Sequence, residues 1–114
     1  MDADTVFFVE KDVCDGSAWS LKWGTLILYR NGLVFYYNRP RKGSDRMQDM
    51  IKIEDIQEVK TQKIDWLVSK IFWVGRQLVI VKTREGEKKY YLRNTDNLFM
   101  AFEMLRPSIK LGKG

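Results

Sequence analysis

The sequence of 114 residues contains no histidine. Histidine is the commonest general base and zinc ligand, and it activates the nucleophile in Ser-His and Cys-His pairs. The chain also lacks the G-x-G-x-x-G, Walker A and H-E-x-x-H motifs. Carboxylates are the remaining candidates for acid-base chemistry or cation binding, and the groups close in sequence are Glu54, Asp55 and Glu58, and Asp12 and Asp15. Because carboxylates in turns and at strand edges are ordinarily solvent-exposed, we expect a non-catalytic protein without a cofactor or metal site.

Cysteine and long apolar runs are also scarce. The single cysteine, Cys14, excludes an intramolecular disulfide and a multi-cysteine zinc site, and we expect it to be a small strand or core residue. No apolar run approaches the roughly 18 residues of a spanning helix, and the N-terminus has no basic segment of a signal peptide. These absences predict a cytoplasmic protein, with peripheral attachment at a membrane as an alternative.

The length of the chain suits one domain, which we place at residues 1–106, with residues 107–114 as a flexible tail or the start of a linker. The net charge is +5, but it is unevenly distributed. The first fifteen residues carry −4 and the remainder carries +9. A basic body favours anionic partners such as phospholipid headgroups, nucleic acid or an acidic protein face.

Two hairpins are the clearest structural signals. The runs "KWGTLILY" and "LVFYYN" flank Asn31-Gly32, which is typical of a type I′ turn because both residues tolerate positive φ. Residues 78–83 and 88–93 flank a second turn, in which Gly86 supplies the flexible position. The segment "TVFFVEKDV" predicts a further strand, and "MIKIEDIQEVKT" predicts a strand that is bent at Glu54-Asp55.

The chain ends in an amphipathic pattern. Leu98, Ala101, Phe102 and Leu105 follow helical spacing, with Asn94 or Thr95 as N-cap and Pro107 as the stop. Phe99, Met100 and Met104 widen the apolar face, so we expect this helix to pack against something large. Six or seven antiparallel strands followed by one helix predict a mainly β fold, a small antiparallel barrel capped by one C-terminal α-helix.

Three segments, together spanning residues 22–106, resemble the pleckstrin-homology (PH) superfold, in particular its GRAM-like and bacterial PH-like branch. "GTLILYRNGLVFYY" and "IKIEDIQEV" are similar to a hairpin and a strand of that branch, and "LVIVKTREGEKKYYLRN" with the following helix resembles its closing hairpin and C-terminal helix. The matching positions are Gly24, Leu26, Leu28, Leu33 and Phe35 in the first segment, and Ile51, Ile53, Asp55, Ile56 and Val59 in the second. The resemblance implies a PH-like fold that serves binding rather than catalysis.

A basic loop follows the first hairpin. It contains Arg39, Arg41, Lys42 and Arg46 against the single acid Asp45, and guanidinium groups suit phosphate or carboxylate oxygens. We therefore predict an anion or lipid site at these four bases. For phosphoinositide-binding PH domains the resemblance implies further bases between the first two strands, and here only Lys22 stands there, which favours loose attraction to anionic lipid over specific recognition.

The stretch "KIDWLVSKIFWVGRQ", residues 63–77, concentrates apolar and aromatic residues between basic ones. As a helix it has the composition of an interfacial membrane segment, and a knob for a protein partner or a homodimer has the same composition. A strand or short helix folded into the core is the third interpretation. The predicted membrane or partner contacts are Lys63, Trp66, Lys70, Phe72, Trp73 and Arg76.

We therefore expect a non-catalytic PH-like adaptor that contacts anionic membrane lipid through the basic loop and the aromatic stretch. The alternative is a protein-protein interaction or dimerisation module of a larger signalling or regulatory protein, acting through the same residues. Binding of single-stranded nucleic acid by the aromatic sheet is a remote alternative, because adjacent tyrosines in a strand point to opposite sides and half of them belong to the core.

Overall fold

A computed structural model of the protein describes residues 5–16, 22–38, 48–62 and 76–112. Within these ranges the chain forms eight strands and one α-helix, which confirms the mainly β class and adds to the predicted strand count. The strands are β1 (Val6–Asp15), β2 (Lys22–Tyr29), β3 (Gly32–Tyr37), β4 (Gln48–Lys52), β5 (Ile56–Gln62), β6 (Gln77–Thr83), β7 (Gly86–Leu92) and β8 (Lys110–Gly112), and the helix is α1 (Thr95–Leu105).

The strands form one sheet in the order β4-β3-β2-β1-β7-β6-β5-β8. All neighbours are antiparallel except β5 and β8, which run parallel. Strand β1 connects the half of the sheet formed by β2, β3 and β4 with the half formed by β5 to β8. It pairs with β2 from Val6 to Asp15, but with β7 only at Cys14 and Asp15.

The sheet curls around a single apolar core. Strands from both halves, represented by Phe35 of β3 and Val81 of β6, share this core with Leu98 and Phe102 of α1. Two irregularities in the pairing of β1 with β2 support the curvature, because bulges increase local twist. Asp12, at the second of them, has a positive φ of 59°.

The first hairpin forms as predicted, but its turn differs from the predicted type I′ turn. Tyr29 pairs with Gly32, so the turn residues are Arg30 and Asn31, and neither has a positive φ. Gly32 is needed for another reason: a Cβ atom there would collide with the carbonyl oxygen of Ile51 on β4.

Two further strand connections among the described residues follow the prediction. In the second hairpin Gly86 has a positive φ of 145°, as its predicted role requires. The hydroxyl of Thr83 accepts a hydrogen bond from the Glu85 amide and donates one to the carbonyl of Gly86. The predicted bend between β4 and β5 is a 3₁₀ turn, Ile53–Asp55.

The predicted apolar stripe of α1 is confirmed, since Leu98, Ala101 and Phe102 are buried. Of the residues that widen this face, Phe99 is buried, whereas Met100 is 61% exposed and Met104 is 75% exposed. The sheet covers one side of the helix, and the two methionines lie beyond its reach. The part of the chain that the structure describes contains no helix long and apolar enough to cross a membrane.

Residues 107–112 are not the flexible tail that the sequence predicts. Ile109 is only 5% exposed and belongs to the core, and the three residues of β8 pair with β5 from Glu58 to Lys60. The C-terminal segment therefore covers the outer edge of β5.

Candidate functional site

Most of the predicted site residues lie outside the described residues, and their predicted roles stay predictions. These are Arg39, Arg41, Lys42 and Arg46 of the basic loop, and Lys63, Trp66, Lys70, Phe72 and Trp73 of the aromatic stretch. Arg76 is the one member of either set that the structure describes.

The strands that flank the two stretches give their points of attachment. The basic loop connects β3 to β4, and the aromatic stretch connects β5 to β6. Five antiparallel steps separate β3 from β5 in the sheet, so the two strands run in opposite directions. Their ends nevertheless lie at nearly the same level of the sheet, because the register aligns Tyr37 of β3 with Val13 of β1, and Gln62 of β5 with Cys14 of β1.

Arg76 is held by contacts within the chain. Its Nη2 donates a hydrogen bond of 3.0 Å to the carbonyl oxygen of Asp12, and its guanidinium carbon lies 5.1 Å from the centre of the Trp23 ring. Its Nε is buried without a hydrogen-bond partner among the described residues. Arg76 thus links the bulge of β1 to the start of β6, and stacking on an aromatic face suits its delocalised charge.

Cys14 is a buried strand residue, as predicted, and it is not a reactive thiol. Burial, together with the charge of the neighbouring Asp15, raises the pKa of the thiol to about 11, although Arg76 and a backbone hydrogen bond from Lys22 oppose the shift. A protonated thiol is a poor nucleophile and a poor metal ligand. Cys14 therefore acts as a packing residue at neutral pH.

Two of the acidic residues that the sequence offers for catalysis form ion pairs. Asp55 pairs with Arg84 at 3.8 Å, and Glu58 pairs with Lys82 at 3.7 Å. Asp15 is buried at the end of β1. These contacts hold strand ends and hairpins together.

Another acid, Asp49, accepts a hydrogen bond from the hydroxyl of Tyr37. The ring of Tyr37 lies edge-on to Phe35, with 5.1 Å between the centroids, and Phe35 stacks on Tyr90 at 5.7 Å. Burial raises the pKa of the Tyr90 phenol, and the charges of Asp15 and Asp49 add to the shift. One tyrosine of each adjacent pair is thus in the core, as the strand period requires.

The most distinctive surface of the described residues is a groove between β1 and α1, which we call the β1–α1 groove. Its volume is about 470 Å³, and no lining residue carries a charged side chain. Four apolar side chains around it are strongly exposed: Val6 (50%), Val9 (54%), Met100 (61%) and Met104 (75%). The remaining lining residues are Phe7, Phe8, Asn94, Asn97 and Ala101.

The side chain of Glu10 holds the start of α1 next to β1. The two oxygens of its carboxylate accept hydrogen bonds of 2.8 Å from the backbone amides of Arg93 and Asn94. These residues follow β7, so the contact ends the pairing of β7 with β1 and starts α1 at this point. The helix lies beside residues 6–9 of β1, and the groove is the space between them.

Two other cavities have a different character. One of about 560 Å³ lies between β4 and the β6–β7 turn, and it is lined by opposing charges, including Lys52, Asp55 and Glu87. Another of about 490 Å³ lies on the far side of α1, where Asp96 and Glu103 border it. The β1–α1 groove is thus the uncharged one among these three.

Sequence reasoning did not identify the β1–α1 groove. A signal was present, because Met100 and Met104 extend the apolar face of the helix beyond the stripe that one sheet covers. That Val6 and Val9 of β1 lie across from these methionines depends on the sheet order, which local patterns do not specify.

No protein-family description and no curated protein matches the sequence. Three solved structures are similar in fold. The C-terminal domain of an unknown protein from Leishmania infantum has a TM-score of 0.61 and 13% identity, over 90% of this chain and 84% of that chain. The Spt16D Pob3N heterodimer has a TM-score of 0.61 and 12% identity, over 93% and 53%. The hSac2 domain of the human phosphoinositide phosphatase Sac2 has a TM-score of 0.53 and 11% identity, over 100% and 78%.

At such low identity these likenesses establish the fold alone. The chain has a PH-like fold, as the resemblance in its sequence implies. They do not establish the GRAM-like branch.

Proposed function

We propose that the protein is a non-catalytic PH-like adaptor that docks an apolar segment of a protein partner in the β1–α1 groove. The observation that supports this function best is the exposure of four aliphatic side chains around an uncharged groove. Exposed apolar surface of this kind marks interaction sites in proteins that are otherwise well packed. Two of the four side chains are methionines, whose flexible thioethers adapt to different apolar partners.

A selection of displayed peptides tests this function. Random linear peptides of about ten residues are selected on the wild-type protein, because the helical wall of the groove, about 15 Å long, matches about five residues of extended chain. The expected result is a set of peptides whose affinity falls about tenfold or more in Met104→Glu, because the substitution places a charge in an apolar contact.

Met50→Glu is the matched control. Met50 is also an exposed methionine, at 51%, but it lies on β4 at an edge of the sheet. Peptides that dock in the β1–α1 groove keep their affinity for this variant. If every selected peptide binds Met104→Glu as well as wild type, the proposed function is wrong.

Attachment to an anionic membrane is the second candidate function. The composition of the basic loop favours this attachment, because the residues that connect β3 to β4 include four bases and one acid. Each base near an anionic surface contributes about 1 kcal/mol, so attachment through Arg39, Arg41, Lys42 and Arg46 would be weak and reversible. Trp66 and Trp73 are then the side chains that enter the interface.

Vesicle co-sedimentation with neutral and with anionic lipid tests the second candidate. Arg41→Glu with Lys42→Glu abolishes sedimentation with anionic vesicles if the basic loop is the contact, and Trp66→Ala with Trp73→Ala weakens it if the tryptophans insert. Met104→Glu serves as the control, because the groove takes no part in this mode. Equal sedimentation of wild type and the double charge reversal would exclude the basic loop as the membrane contact.

A further inference from the structure

We infer that the β1–α1 groove receives its partner as an added β-strand on the open edge of β1, and that the partner segment is extended, uncharged and apolar at alternate residues. This inference rests on the proposed function and names the conformation and chemistry of the partner.

The open edge is a consequence of the sheet pairing. Strand β1 pairs with β2 over its whole length, whereas its pairing with β7 is limited to Cys14 and Asp15. Along residues 6–13, no strand among the described residues lies on the side that faces α1. An unpaired edge presents backbone amides and carbonyls at a regular spacing, which is the template for strand addition.

The dimensions of the groove fit a short extended segment. The regular part of β1 is limited to Phe8, Val9 and Glu10, because its pairing with β2 is irregular between Val6 and Phe8 and again after Glu10, where Asp12 has a positive φ. Three residues of strand span about 10 Å. The opposite wall, from Asn94 to Met104, is about 15 Å long, which is the length of about five residues of extended chain. The partner segment therefore pairs with about three residues of β1 and contacts the helix over about five of its own.

A helical partner fits this site less well. A helix satisfies its backbone groups internally, so it would remove water from the edge of β1 without replacing the hydrogen bonds that water makes there. An extended segment replaces them with backbone hydrogen bonds and also places alternate side chains against Met100 and Met104. The open edge and the apolar wall thus favour the same occupant.

The lining residues specify the composition of that occupant. None is charged, and the two polar ones, Asn94 and Asn97, are amides. The carboxylate of Glu10 does not line the groove, because this residue is buried and both carboxylate oxygens accept hydrogen bonds from backbone amides. The partner segment is therefore neutral where it lies in the groove.

Strand β4, at one end of the sheet order, is a less suitable receptor. The cavity beside it is lined by Lys52, Asp55, Glu85, Glu87 and Lys88. Charged side chains along an edge oppose the approach of an apolar strand. The distribution of charge therefore favours β1 over β4.

The experiment uses one Met104-dependent peptide from the selection described above. Each backbone amide of the peptide is methylated in turn, and the exchange of the β1 amides with deuterated solvent is measured with and without the unmodified peptide. Strand addition predicts that methylation lowers the affinity about tenfold at alternate residues and little at the residues between them. It also predicts slower exchange of amides in residues 8–10 of β1 in the complex.

The outcomes separate the inference from the function on which it rests. A peptide that depends on Met104 but tolerates methylation at every position, and leaves exchange in β1 unchanged, overturns strand addition and keeps the docking function. Absence of any Met104-dependent peptide overturns the docking function itself. Sensitivity to Met50→Glu in place of Met104→Glu moves the site to β4 and overturns the inference. A dimer in sedimentation that Met104→Glu dissociates makes a second copy the occupant, which also overturns it.

Discussion

Gly32 stands at a point where two strands approach too closely for a side chain. A Cβ atom there would meet the carbonyl oxygen of Ile51, which is rigid backbone of β4. We expect Gly32→Ala to lower the free energy of unfolding by about 2 kcal/mol, since the collision forces a backbone shift. Urea denaturation followed by circular dichroism measures this change.

The neighbouring Asn31 is the control for that prediction. Asn31 has no positive φ, so Asn31→Ala should change the free energy of unfolding by no more than about 0.5 kcal/mol. In the type I′ turn that the sequence suggests, the same substitution would place alanine in the left-handed region and cost about 1 kcal/mol or more. A large loss in Asn31→Ala with a small loss in Gly32→Ala would contradict the observed turn.

The raised pKa of Cys14 predicts that the free energy of unfolding decreases at alkaline pH. Burial raises the pKa of its thiol from 9.0 to about 11, so between these values the unfolded chain releases a proton that the folded chain retains. Proton release then favours the unfolded state, and the free energy of unfolding falls as the pH rises through this window. The pKa of Tyr90 is also raised, so the phenol contributes in the same direction at higher pH.

The variant Cys14→Ala isolates the contribution of the thiol. We expect the variant to be less stable than wild type near pH 8, because it removes a buried sulfur, and to lose less stability than wild type between pH 9 and about 11. Denaturant titrations at several pH values provide the comparison. Identical slopes for the two proteins would show that the thiol does not titrate differently in the two states.

At the scale of elements, β8 stabilises the edge of β5 and depends on Ile109 for its position. Ile109 is buried in the core, immediately before β8. We expect Ile109→Ala to lower the free energy of unfolding by about 2 to 4 kcal/mol, and Lys110→Ala, at an exposed position, by less than about 0.5 kcal/mol. Thermal denaturation of both variants is the measurement. Equal stability of Ile109→Ala and wild type would mean that this segment is not part of the core.

The elements that sequence patterns predict are those with local signals. Gly86 marks the second hairpin, Glu54-Asp55 marks the bend, and the spacing of Leu98, Ala101 and Phe102 marks the helix. Strand β8 has no such signal, because three residues of parallel pairing depend on where β5 lies. The Asn31-Gly32 pair predicts the first turn one residue too late, because it does not reveal that the glycine serves a close contact with β4.

The candidate site was less predictable than the fold. Patterns along the chain identify basic and aromatic clusters, because these are contiguous in sequence. The β1–α1 groove joins residues from opposite ends of the chain, and its existence depends on the contact of Glu10 with the amides that follow β7. No local pattern indicates that a carboxylate separated by more than eighty residues will accept those hydrogen bonds.

At the scale of the whole molecule, the two candidate functions depend on different interactions. Membrane attachment depends on the charges of the basic loop, and peptide docking depends on the apolar side chains of the β1–α1 groove. Raising the salt concentration from 0.1 M to 1 M shortens the Debye length from about 10 Å to about 3 Å. We expect vesicle attachment through the basic loop to be lost over this range, and peptide docking in the uncharged groove to change by less than about threefold. Vesicle sedimentation and fluorescence anisotropy of a labelled peptide measure the two responses.

The same salt series distinguishes the functions if only one is present. Binding of the peptide that disappears at high salt would mean that charges outside the lining residues dominate docking. Vesicle attachment that survives at high salt would assign the membrane contact to apolar side chains instead of the four bases.

The contact of Arg76 with Trp23 gives the protein an internal spectroscopic probe. The indole is 41% exposed and lies beneath a guanidinium group, and the contact connects β2 with the start of β6 across the intervening β1 and β7. When this junction separates, the indole loses its cationic neighbour and gains water, so its emission shifts while the distant strands are still paired. The difference in emission between wild type and Trp23→Phe isolates this signal. Followed through a denaturant titration beside far-ultraviolet circular dichroism, it reports whether the two halves of the sheet part before the whole unfolds.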